Sequence, residues 1–84
     1  FIGTSSNGMN GLVQVEVTVE NRKMTAIKVT QQSETEGIGT VAFAPLIEQA
    51  LEKQSANVDT IGGATITSEA FKEALQNALY KAGI

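Results

Sequence analysis

An α+β fold, a small antiparallel sheet with two helices packed on it in the order β-β-α-(β)-α, is predicted by three features of the sequence. Two neighbouring segments alternate apolar and polar residues, two later segments repeat apolar residues at helical spacing, and 84 residues suffice for one small domain. A chain of this size buries only roughly two-thirds of its unfolded surface, so the core is expected to be modest.

Residues 1–11, FIGTSSNGMNG, hold three of the eight glycines and show no periodicity. They read as a leader or linker, which places the domain at 12–84. From Leu12 to Glu20 the alternation is clean: Val13, Val15, Val17 and Val19 share one face, and Gln14, Glu16, Thr18 and Glu20 the other. β-Branched residues at period two predict a half-buried strand. Asn21-Arg22-Lys23 is a polar turn, and Met24 to Thr30 alternates again with Ile27 and Val29 inward, completing an antiparallel hairpin.

The polar stretch 31–39, QQSETEGIG, is a loop. Phe43, Leu46, Ile47, Ala50 and Leu51 then mark one face of a helix, with Glu48, Gln49, Glu52 and Lys53 opposite. Pro45 sits early enough for the first turn to accept it. Val58 to Ile61 is expected to be a short strand. The glycine-led GGATITS of 62–68 runs into a second helix, where Ala70, Phe71, Ala74, Leu75, Ala78, Leu79 and Ala82 form the apolar stripe. Thr67 is its expected N-cap, with Glu69 in the first turn and Gly83 as its stop.

Composition removes several chemistries. The chain has no Cys and no His, hence no disulfide, thiolate, imidazole base or histidine metal ligand. Carboxylates, hydroxyls, lysines, backbone amides or a borrowed cofactor remain. Nine acidic against six basic residues give a net charge of −3, which disfavours nucleic acid as a partner. Four scattered aromatics, Phe1, Phe43, Phe71 and Tyr80, make no platform for bases. No apolar run approaches the ~18 residues of a membrane span. Opening at Phe1 without Met, the chain reads as processed or as a piece of a longer protein.

Two segments could carry chemistry. In Asp59 to Ser68, two glycines let backbone approach a ligand, and the helix start offers amides and hydroxyls (Thr65, Thr67, Ser68) to a phosphate. The same residues also make an ordinary helix start, and the segment lacks the Gly-Lys-Ser/Thr ending of a P-loop. In Ser33 to Gly39, Glu34 and Glu36 could act as an acid–base pair or hold a hard cation, or simply face water.

In this order, the two segments resemble the FMN-binding domain family, found in subunits of sodium-pumping NADH:quinone oxidoreductase and the Rnf complex and in fumarate- and urocanate-type reductases. The family pattern is a Val-rich hairpin, a Glu-Thr-Pro-Gly-x-Gly loop, a helix, and Asp-x-x-Ser/Thr-Gly-Ala-Thr-x-Thr-Ser opening the last helix. Here these stand as Gly11 to Thr30, Glu34-Thr35-Glu36-Gly37-Ile38-Gly39, and Asp59 to Ser68. Glu36 replaces the proline, and Gly62 replaces the Ser/Thr of the second motif.

The resemblance implies an electron-carrier domain with FMN joined by a phosphodiester to Thr65 (phosphothreonyl-FMN). An FAD:protein FMN transferase installs the group and releases AMP. Asp59, Gly62, Gly63, Ala64, Thr67 and Ser68 would surround the attachment. Glu34, Thr35, Gly37, Ile38 and Gly39 would wall the isoalloxazine, with Leu46 and Ile47 as a possible floor. No metal is implied. The domain would serve a larger oxidoreductase or redox partners, in a membrane-associated, extracytoplasmic setting before a cytoplasmic one. The alternatives are a flavin-free structural or interaction module of the same fold and a phosphate sensor at the same helix start.

Overall fold

The computed structural model describes residues 1–8, 11–32 and 40–84. Three strands, β1 (Ile2–Gly8), β2 (Gly11–Glu20) and β3 (Lys23–Gln31), form an antiparallel sheet in the order β1-β2-β3. After a short 3-10 turn (Thr40–Ala42) come α1 (Phe43–Lys53) and α2 (Thr65–Ala82). The α+β architecture is the one expected, with a third strand in front: the order is β-β-β-α-α.

The hairpin forms as its alternation dictates. Val13, Val15 and Val17 are buried, while Glu16, Thr18 and Glu20 face water. Glu20 pairs with Lys23 across a two-residue turn in which Asn21 and Arg22 both take positive φ, 54° and 65°. That conformation matches the twist of the strands. Between Thr18 and Val19 the partner on β3 jumps from Ala26 to Met24, so Thr25 is an extra residue. The bulge reverses side-chain parity, which is why Met24 joins Ile27 in the core from three positions away.

Within the stretch read as a leader or linker, residues 2–8 form a strand. It pairs with β2, from Ile2 opposite Glu16 to Gly8 opposite Gly11. Its inward positions are Gly3 and Ser5, which leave no apolar alternation to read. The smallness of Gly3 is required: a Cβ there would stand 1.9 Å from the Ala74 carbonyl oxygen and 2.5 Å from the Ala78 amide nitrogen. α2 therefore lies directly on the β1 backbone. Its polar side chains cover the strand: Ser5 donates to Glu73 (2.9 Å), Asn77 accepts from the Thr4 amide (3.1 Å), and Lys81 donates to the Ile2 carbonyl (2.9 Å).

Both helices cover the same face of the sheet, α2 over β1 and β2 and α1 against β3. Phe71, Leu46 and Leu75 are the largest side chains wholly inside. Phe43 and Phe71 join the helices, ring centroids 6.3 Å apart and tilted by 50°. Leu46 is thus core rather than the floor of a surface slot. The Gln54 side chain binds α1 to the sheet: its amide oxygen accepts from the Met24 amide (2.7 Å) and its nitrogen donates to the Met24 carbonyl (2.9 Å).

Candidate functional site

Between the helices, residues 57–61 form no strand. The amides of Asn57, Asp59 and Ile61 are met by side chains, and that of Val58 by the Ala56 carbonyl. The Gln49 amide brackets Asp59, its oxygen accepting from the Asp59 N–H (3.0 Å) and its nitrogen donating to the Asp59 carbonyl (3.4 Å). The Asp59 carboxylate points into solvent, 3.9 Å from Lys53, and at such exposure this pair adds little to stability.

Ile61 to Ala64 is a tight turn closed by the Ala64 N–H donating to the Ile61 carbonyl (2.9 Å). The two glycines in it differ. Gly63 takes φ +83°, a conformation that side chains resist, whereas Gly62 does not have a positive φ. A Cβ at either position would meet open space.

Ser68 locks this turn to the helix. Wholly buried, its hydroxyl accepts from the Ile61 N–H (2.9 Å) and donates to the Ala64 carbonyl (2.7 Å). Position 68 reaches back to 64 because residues four apart lie on one helix face. The hydroxyl's donor and one acceptor site are thus used within the protein, so Ser68 braces the segment on which the neighbouring threonine sits.

The helix begins three residues earlier than its capping pattern predicts. Ala64 is the N-cap, with no side-chain cap, and Thr65 is the first helical residue. Thr67, expected as the cap, is buried within the first turn at 2% exposure, and Glu69 falls in the second turn. The first turn carries no acidic residue, so the positive end of the α2 dipole is not offset there. The amides of Thr65 and Ile66 lie ahead of the helical hydrogen-bond ladder.

These positions separate the hydroxyls. Thr67 and Ser68 are inside, whereas Thr65 is exposed on the first turn. Beside it Ile66 is 47% exposed; Val41, on the 3-10 turn before α1, is 61% exposed. That turn packs against α2. Neither residue was singled out from sequence. Ile66 had a readable signal, since it lies off the stripe formed by Ala70, Phe71, Ala74 and Leu75. The expected wall of Glu34, Thr35, Gly37, Ile38 and Gly39 lies outside the described residues, as does Glu36. Among the described residues no cluster of three acidic side chains could hold a metal, and no helix is long and apolar enough to cross a membrane.

An exposed hydroxyl and an exposed apolar side chain thus stand on the first turn of α2, at the positive end of its dipole. The family model described as FMN-binding domain matches residues 8–80. NADH:acrylate oxidoreductase of Vibrio harveyi is 38% identical over 76 residues, 90% of this chain and 8% of that protein. Urocanate reductase of Eggerthella lenta is 32% identical over 80 residues, 95% of this chain and 13% of that protein. The chain therefore corresponds to a small part of either relative. With the match extending from the end of β1 nearly to the end of α2, the chain belongs to the FMN-binding domain family.

Proposed function

We propose that this domain is an electron carrier with FMN esterified to the Thr65 side-chain oxygen, and that it passes electrons within a larger flavoprotein or redox chain. The observation carrying this reading is the sorting of hydroxyls at the start of α2: Thr65 is exposed, while Thr67 and Ser68 are buried. Attachment forms one P–O bond from Thr65 Oγ to the FMN phosphorus of FAD and breaks the pyrophosphate bond, with AMP as leaving group. The hydroxyl proton passes to a base of the FAD:protein FMN transferase. Bound flavin supplies reversible redox chemistry that no side chain of this Cys-free, His-free chain can supply.

The protein's own residues do the positioning. Thr65 and Ile66 present first-turn amides to the ester phosphate, and the undiluted helix dipole favours its charge. Ser68 and the positive φ of Gly63 hold the preceding turn so that Thr65 stays on the first helical position. Ile66 and Val41 offer apolar surface to the isoalloxazine. A tether removes the need for tight non-covalent binding, which suits a domain with a small core.

Co-expression with an FAD:protein FMN transferase tests this. The expected product gains the mass of one FMN group and stays yellow after denaturation, while Thr65→Ala stays colourless with an unchanged melting temperature. Modification of Thr65→Ala, or an unmodified natural chain beside a fully modified control substrate, would overturn the reading.

A further inference from the structure

Away from Thr65, the hairpin turn, the segment after α1 and the C-terminal half of α2 enclose a groove of about 740 Å³. Leu79 and Tyr80 on its wall lie roughly 20 Å along α2 from Thr65, at 1.5 Å per residue. Its charge is unlike that of the rest of the molecule. The chain has nine acidic and six basic residues, yet Arg22, Lys23 and Lys72, half of all the cations, line this groove and no Asp or Glu side chain does. Among the described residues the ion pair formed is Lys53–Asp59; Arg22, Lys23 and Lys72 form none, although Glu20 lies opposite Lys23 on the hairpin and Glu69 and Glu73 flank Lys72 on the side of α2 away from this groove. Segregation of this kind concentrates positive potential in a concavity of an otherwise acidic protein. An exposed aromatic stands beside them: Tyr80 is 84% exposed, on the same wall as Leu79. Tyr and Arg are the side chains that most often anchor protein interfaces.

We propose that this groove docks an acidic segment of a partner protein, one that sets Asp or Glu side chains around an aromatic or aliphatic anchor. The cations come from the hairpin turn and from the middle of α2, and they share the groove with apolar surface. That arrangement suits an extended carboxylate-bearing segment better than a single small anion. It also leaves the Thr65 end of the domain free. Docking does not depend on the flavin and is equal in the Thr65→Ala chain, so its failure leaves the flavin reading untouched.

The experiment is a titration of the ¹⁵N-labelled chain with a short Glu-rich peptide carrying one central Trp. Saturable shifts are expected at Arg22, Lys23, Lys72 and Tyr80, weakening as NaCl is raised. Arg22→Glu and Lys72→Glu should each weaken binding by roughly two- to fivefold. Tyr80→Ala should weaken it too, and a peptide with Gln in place of Glu should fail to bind. Equal binding of the Gln peptide, or shifts confined to other surfaces, would overturn the proposal. So would inorganic phosphate or AMP producing the same shifts at lower concentration, which would make the groove a small-anion site. Concentration-dependent shifts without peptide would assign it to a second copy of this chain and would equally overturn it.

Discussion

Gly3 on β1 and Gly62 beside the helix start both lack a side chain, but for opposite reasons. At Gly3 a Cβ would fall inside the backbone of α2, 1.9 Å from the Ala74 carbonyl oxygen. At Gly62 it would meet nothing. The β1–α2 contact is closed backbone to backbone and tolerates no added atom. The turn before Thr65 is held by hydrogen bonds from Ser68 and by one positive φ at Gly63, with solvent around it. A rigid seam at β1 thus contrasts with an exposed turn before Thr65, the threonine proposed to accept flavin. Under that proposal, this division would let a core of modest size hold one threonine steady while leaving it within reach of a transferase.

The largest effect expected from breaking this contrast is at the seam. Gly3→Ala should lower unfolding free energy by about 3 kcal/mol or more in urea denaturation, because the clash is with backbone that cannot rotate away. A loss under about 1 kcal/mol would mean that α2 does not lie so close on β1. Next is Ser68→Ala, which strands a partly buried Ile61 N–H and should destabilise by about 1–3 kcal/mol. It should also slow flavin attachment at Thr65 at temperatures where the variant is fully folded. Unchanged attachment kinetics in the folded variant would show that the brace does not position the acceptor.

The sharpest comparison is between the two adjacent glycines. Gly63→Ala forces a side chain into positive φ and should cost about 1–2 kcal/mol. Gly62→Ser needs no such conformation and meets open space, so its stability should stay within about 0.5 kcal/mol of the natural chain. The added serine hydroxyl should speed flavin attachment by no more than about tenfold, the value of one hydrogen bond. Equal losses at both positions, read from chemical melts, would contradict the assignment of φ.

What the sequence made legible follows from where side chains carry information. β2, β3 and both helices were readable because their buried positions are large and periodic, as with Val13, Val15 and Val17 or Phe71 and Leu75. β1 was not, because its inward residues are Gly3 and Ser5, chosen for close approach and for a hydrogen bond to Glu73 rather than for apolar bulk. The expected strand at 58–61 failed for a tertiary reason, since Gln49 and Ser68 take up its amides. The motif around Thr65 marked the candidate acceptor, but local capping rules misplaced the helix start at Thr67. Ala64 caps without a side-chain bond, and the bracing hydroxyl of Ser68 acts from inside the helix. Its role depends on the fold of Ile61 against α2, which no residue spacing discloses.

The central claim is that burial excludes Thr67 and Ser68 and that the helix start favours Thr65 over exposed Thr60, and peptide mapping of the flavin-modified chain tests it most directly. Digestion and fragmentation of the peptide spanning residues 59–72 should place the FMN phosphoryl group on Thr65 alone. A substantial fraction on exposed Thr60 would show that accessibility without the helix start suffices, and attachment at Thr67 or Ser68 would contradict the account outright.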